Sequence, residues 1–316
     1  MKITEKEVTI KGEFDIGATV TYTDENRKSP AIVIIMGTGK LDRDGNGAGF
    51  HSDIYKDLAN LFAEQGFACI RYDKRGTHRS GGSFNAAGLS DLVNDAVSAV
   101  RYMKEQPYVN ENRVIVCGHS EGAMIATLLS EKEDTAGLIL LGGAATSLKD
   151  ALYYQNTLAA EEIGKKDGFS GALLKRSFDL KKQLAMIDDM FEKSSKTDKE
   201  KIFVRGAFMP AKWLREHGSY SSQDFADILK KYGRPVLAVT GTADIQADHR
   251  NLDLLKEQPH ISCYAPERLG HVLRKSDDNI SILEVNKDYR RLLKEPIDSE
   301  LIGIAEDWLR QYCPAR

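Results

Sequence analysis

Hydrophobic positions along this chain fall into short unbroken runs separated by longer segments of helical period. The N-terminal stretch, residues 2–22, reads as two β segments, Val8-Thr9-Ile10 and Ala18-Thr19-Val20-Thr21-Tyr22, flanking a turn near Gly12. Ala31–Met36 is then continuously apolar and stops at Gly37. A run without polar alternation is the mark of a strand buried on both faces, as in a parallel sheet. Further runs of this kind are Phe67–Tyr72, Arg113–Cys117, Gly137–Gly142, Pro235–Thr240 and Ile261–Tyr264. Between them lie segments with apolar residues three and four apart: Ile54–Gln65, Ser90–Lys104, 247–257 and Ser299–Tyr312. Strands alternating with helices predict an α/β fold with a mostly parallel central β-sheet flanked by helices.

One stretch breaks this alternation. From about Thr146 to Lys231 no strand-like run occurs, and the sequence is amphipathic and helical throughout. The division expected is a core made of residues 1–145 and 232–316, with 146–231 inserted between two strands as a helical cap.

Composition narrows the partners. The 316 residues are 41% hydrophobic and 29% charged, with a formal net charge of −3, so no basic excess invites nucleic acid. No run approaches the roughly 18 apolar residues of a membrane span. The charged N-terminus lacks the apolar core of a signal peptide. Cys69, Cys117, Cys263 and Cys313 are scattered, without C-x-x-C spacing, and read as free thiols of a reducing compartment. Together these features lead to the expectation of a cytoplasmic protein acting on a small molecule, with neither nucleic acid nor membrane as partner.

The densest chemical signal is Gly118-His119-Ser120-Glu121-Gly122. An apolar strand precedes it and a helix-forming run, Ala123–Leu129, follows. G-x-S-x-G between strand and helix is the nucleophile elbow, in which the serine hydroxyl is exposed at the tip of a strained turn. A serine is a poor nucleophile without an imidazole to take its proton and an acid to orient that imidazole. Asp244 lies in a turn after strand 235–240, and His271 follows the turn after strand 261–264. Asp248 and Asp253 are near the acid, and His249 and His260 near the base, but they fall in a helix or before a strand. His78 and His119 also lie close to loops of interest.

On Gly118–Gly122, Tyr72-Asp73-Lys74-Arg75-Gly76, Gly241–Gln246 and Leu269-Gly270-His271, the chain resembles the α/β-hydrolase superfamily, and among its members bacterial serine carboxylesterases with a helical cap. The resemblance implies a triad in the order Ser120, Asp244, His271 and hydrolysis of a carboxylic ester through an acyl-enzyme. It implies no metal or organic cofactor. It further implies an oxyanion hole made by the backbone N–H groups of Glu121 and Thr38, with Gly39 as the other candidate for the second donor. Met36 stands where many relatives carry histidine. The Arg75-Gly76 loop resembles one that braces the catalytic base, and Asp73 and Arg75 read as structural. Phe208 and Trp213 are the candidate pocket residues of the cap. The same chemistry would serve a peptidase or thioesterase, and a sensor that retains a slow triad is the reading from another class.

Two further patterns fail on inspection. Asp42-Arg43-Asp44-Gly45-Asn46-Gly47 resembles the start of a calcium loop, but its twelfth position is Asp53 rather than glutamate. Gly37-Thr38-Gly39-Lys40 lacks the glycine and hydroxyl of a phosphate loop, with Ile34 and Leu41 in those places.

Overall fold

The structure is a computed structural model that describes residues 2–47, 50–204, 207–276 and 279–315. The predicted runs become β1 (Thr4–Lys11), β2 (Asp15–Tyr22), β3 (Ser29–Ile35), β4 (Ala68–Tyr72), β5 (Val109–His119) and β6 (Gly137–Leu141). A two-stranded hairpin, β7 (Lys201–Val204) with β8 (Ala207–Pro210), precedes β9 (Val236–Val239) and β10 (Ile261–Tyr264). All but the hairpin join one eight-stranded sheet in the order β1-β2-β4-β3-β5-β6-β9-β10. Its neighbours from β4 to β10 run parallel, and β1 and β2 are antiparallel additions at one edge.

The unbroken apolar runs have a direct cause. Successive strand residues point to opposite faces, and both faces here are covered. In β3, Ala31, Val33 and Ile35 enter one core while Ile32 and Ile34 enter the other. Val114 and Val116 of β5 alternate in the same way with Ile115 and Cys117. The first core is closed by α2 (Leu89–Lys104) and α3 (Glu121–Leu129), the second by α1 (Ile54–Glu64) and α10 (Ser299–Tyr312).

The stretch between β6 and β9 holds α4 (Leu148–Lys165), α5 (Gly168–Ser177), α6 (Leu180–Ser195), the hairpin, α7 (Ala211–His217) and α8 (Ser222–Tyr232). Two features differ from the sequence expectation. The stretch is not wholly helical, because Lys201–Val204 pairs with Ala207–Pro210 as strands too short to show a period. Helix α8 sits in the core layer rather than outside it: Phe225, Ala226 and Leu229 join the cluster under the sheet. The expected boundary at 231 therefore falls one helix beyond the point where the chain re-enters the core. Nearby, the segment expected as a helix over 247–257 is a 3-10 turn at His249–Leu255. A short helix, α9 (Val285–Leu292), lies in the long connection between β10 and α10.

Candidate active site

The three residues placed in order by the sequence meet at the C-terminal edge of the sheet, where open α/β folds collect their sites. Ser120 caps α3 at φ 57°, ψ −122°, a conformation that costs a non-glycine residue roughly 1–3 kcal/mol. The turn exists because both flanking glycines lack a side chain. A Cβ on Gly118 would stand 2.1 Å from the carbonyl oxygen of Gly122, and one on Gly122 would stand 2.1 Å from that of Ile35. Strand β5 hands directly to α3 and leaves the Ser120 side chain at the rim.

Asp244 is buried in the turn after β9. Its Oδ1 accepts the backbone N–H groups of Gln246 at 2.8 Å and Ala247 at 2.9 Å. His271 Nδ1 lies 2.9 Å from Asp244 Oδ2 and 3.1 Å from Oδ1. A carboxylate only accepts, so the proton sits on Nδ1 and Nε2 is left as the basic nitrogen. Ser120 and His271 line the same cavity, of about 290 Å³. Three of the other candidates are engaged elsewhere: Asp248 with Arg250, Asp253 with Lys256, and His260 Nε2 with the Leu229 carbonyl.

One wall of the cavity comes from Thr38, Leu41, Phe50 and Tyr55, and the other from Gln246, Val272, Val285 and Tyr289. Phe208 and Trp213 are not among its lining. Phe208 is 72% exposed and stacks edge-on against Phe203. Trp213 instead donates its indole N–H to Glu121 Oε1 at 2.6 Å. Of the second wall, Val272, Val285 and Tyr289 come from the β10–α10 connection, whose helix α9 carries no signature in sequence, and Gln246 from the turn after β9. A larger groove, about 650 Å³, runs between α4 and the acid turn; it touches Asp244 but neither Ser120 nor His271.

Several residues that sequence reasoning passed over surround the site. Tyr55 Oη accepts the Gly37 N–H at 2.7 Å and lies 3.0 Å from His119 Nδ1. His119 Nε2 is 2.9 Å from the His271 carbonyl oxygen. With Nε2 donating to that carbonyl, Nδ1 accepts the tyrosine proton and the ring is neutral. Burial and the adjacent His271 push the His119 pKa down to about 3. Lys74 bonds the Gly37 carbonyl at 2.6 Å and pairs with the Glu121 carboxylate. Burial opposes ionisation of Glu121, but Lys74 and His217 outweigh it and hold its carboxyl well below the usual range. The D-K-R-G run drew attention to its outer charges, and these are indeed in buried pairs. Asp73 binds Arg43 at 2.6 Å, and Arg75 binds Asp95 of α2 at 2.8 Å. Arg75 thus braces α2, not the loop of His271. A charged residue between two structural ones was the available signal for Lys74, since an isolated lysine rarely enters a core unpaired.

The acidic turn at 42–53 spends its oxygens internally. Asp42 Oδ1 caps the amides of Asp44 and Asn46, and Asp44 takes Arg71 at 2.5 Å. Among the described residues no group of three His, Cys, Asp or Glu is placed to hold a metal.

A parallel sheet with a strained serine at the β5–α3 turn, and an acid and a histidine on later strand ends, defines an α/β-hydrolase. The sequence profile described as serine aminopeptidase, S33, matches residues 45–258, and the chain belongs to that family. It is 24% identical to Esterase EstD of Thermotoga maritima over 314 residues, covering 96% of this chain and 67% of that one. The α/β hydrolase GrgF from Penicillium sp. sh18 superposes with a TM-score of 0.60 at 17% identity, covering 99% of each chain. Est1E from Butyrivibrio proteoclasticus, solved with ferulic acid bound, gives 0.56 at 19% identity, covering 92% of this chain and 99% of that one. No helix among the described residues is long and apolar enough to cross a membrane.

Proposed function

We propose that the chain is a serine esterase that cleaves small carboxylic esters through an acyl-enzyme intermediate. The observation that carries this reading is the His271–Asp244 pair, 2.9 Å apart, with His271 on the same cavity as a serine held at φ 57°. Ser120 Oγ attacks the acyl carbon as His271 Nε2 takes its proton. The backbone amides of Glu121 and Thr38 bind the oxyanion; Glu121 is the first residue of α3, so its N–H has no partner within the helix. His271 then protonates the leaving alcohol, and in the second half draws a proton from water to release the acid. Asp244 fixes the imidazole tautomer and stabilises its charged form. The apolar side chains of Leu41 and Phe50 on one wall and Val272 and Val285 on the other suit an acyl group. Residues 146–221 act as the cap over this edge of the sheet. The likeness to esterases and the four unpaired thiols support a small-molecule hydrolase of a reducing, cytoplasmic compartment.

The test is a p-nitrophenyl ester series from acetate to palmitate, run beside Ser120→Ala. Turnover should fall by about 10⁴-fold or more in the variant while the fold persists. Wild-type rates in Ser120→Ala would end the proposal. The family description favours one second reading, an aminopeptidase. Turnover of amino-acid anilides with inert esters would select it.

A further inference from the structure

Gly37 is held from both ends. Its N–H goes to Tyr55 and its carbonyl oxygen to Lys74 Nζ. Lys74 is buried, and its counter-ion is the equally buried carboxylate of Glu121, the residue after the candidate nucleophile. That carboxylate is held in turn from outside the core. Trp213 of α7 donates to Oε1 at 2.6 Å, and His217 Nε2 of the same helix stands 3.3 Å from Oε1. Helix α7 is itself tied to the start of α2, with Lys212 Nζ 2.6 Å from Asp91 and Glu216 accepting the Ser90 N–H at 2.7 Å.

Peptide planarity turns these contacts into a statement about the oxyanion hole. The described residues contain no cis peptide, so the Gly37 carbonyl and the Thr38 N–H point in opposite directions from one rigid plane. Fixing the carbonyl on Lys74 therefore fixes the amide. Thr38 lines the cavity that holds Ser120, and Lys74 does not.

We propose that the Lys74–Glu121 ion pair is a positioning device that turns the Gly37–Thr38 peptide so that the Thr38 N–H faces the oxyanion formed at Ser120. The inference rests on the esterase reading above and gives the Glu121 side chain a purpose beside that of its backbone. It also assigns the second donor to Thr38 rather than Gly39. Without Lys74 the carbonyl has no other donor among the described residues, and the plane is free to rotate its N–H away. Trp213 keeps the carboxylate where Lys74 needs it, so α7 reaches the site through this pair.

The test uses Lys74→Met and the double variant Lys74→Met/Glu121→Met. The single variant strands a buried carboxylate and is compared for stability. The double variant removes both charges, a change that buried pairs commonly tolerate, and keeps the Glu121 backbone amide. On p-nitrophenyl acetate the double variant should lose at least about tenfold in kcat, toward the 10²–10³ of a lost oxyanion donor, with KM nearly constant. Its affinity for an aryl trifluoromethyl ketone, which forms an oxyanion on the serine, should fall in parallel. A crystal structure of the double variant should show the Gly37–Thr38 peptide rotated or in two orientations. Wild-type kcat in the double variant, or an unmoved peptide plane, would overturn the assignment. If the wild type itself hydrolyses no ester, the esterase reading falls, and the orientation of the peptide in the double variant alone then decides for or against Lys74.

Discussion

The sheet edge that carries Ser120, Asp244 and His271 and the segment between β6 and α8 are built to different standards. At the edge the polar side chains around Ser120 are mostly buried and bonded: Asp244 with three partners, Glu121 with Lys74 and Trp213, His119 with Tyr55 and the His271 carbonyl. In the segment, the eighteen-residue helix α4 buries only Ala151 and Ile163, and α5 buries only Gly171. Phe169 is 88% exposed and Phe203 60%. Chemistry that depends on sub-ångström placement needs side chains whose rotamers are locked by neighbours. The segment is anchored at a few points, by α7, with Ala211, Leu214 and His217 buried, and by α4, whose Tyr154 and Gln155 bond the carbonyls of Asp244 and Gln246.

The largest expected contrast pits two phenylalanines of the same stretch against each other. Phe225 of α8 is 1% exposed and packs in the core beneath the sheet, while Phe208 is on the hairpin surface. Phe225→Ala should destabilise by about 3–5 kcal/mol through transfer and cavity terms. Phe208→Ala should stay within about 0.5 kcal/mol. Urea unfolding of both variants measures the difference. Equal losses would mean that the hairpin is as integral as α8 and that the two regions do not differ in kind.

The same contrast explains what was legible in the sequence. The elbow was legible because two backbones approach within a Cβ radius, which only glycine permits, so the constraint is written as residue identity at Gly118 and Gly122. The parallel sheet was legible because burial on both faces forces unbroken apolar runs. Asp244 and His271 were found by position, each at the end of such a run. The cavity walls were not legible. Val285 and Tyr289 reach the site through the path of the β10–α10 connection, and no local pattern encodes that path. Phe208 and Trp213 were sought as pocket residues because they are large and apolar. Composition cannot say which way a side chain faces, and the structure turns one to solvent and the other to a carboxylate. Lys74 was missed for a related reason: its role exists only through contacts far away in sequence, with Gly37 and Glu121.

Trp213 offers a smaller test, since it joins the two regions. Trp213→Phe keeps most of the ring and deletes the N–H that reaches Glu121 Oε1. A hydrogen bond to a charged group is worth about 1.5–3 kcal/mol, so a stability loss of that order is expected by urea denaturation. A loss indistinguishable from zero would mean that the indole N–H contributes nothing to holding α7 against Glu121, and that α4, through Tyr154 and Gln155, is the polar link from this segment to the acid turn.

The finest distinction lies inside the sheet edge, at His119. Its ordinary pKa is 6.5, and burial beside His271 pushes it down to about 3 in the folded state. Between those values the unfolded chain binds a proton at this position that the native state refuses. Stability must therefore fall as pH drops from 6.5 toward 3, by at most about 1.4 kcal/mol per pH unit for one proton. Above pH 6.5 the ring is neutral in both states and contributes no slope. His119→Gln keeps an acceptor for Tyr55 and a donor for the His271 carbonyl but cannot titrate. Its unfolding free energy, followed from pH 7 to pH 4.5, should decline less steeply than that of the wild type, whatever its value at pH 7. Parallel slopes would show that His119 accepts its proton without unfolding, by breaking the Tyr55 bond, and the sheet edge would then be less rigidly committed than its hydrogen bonds imply.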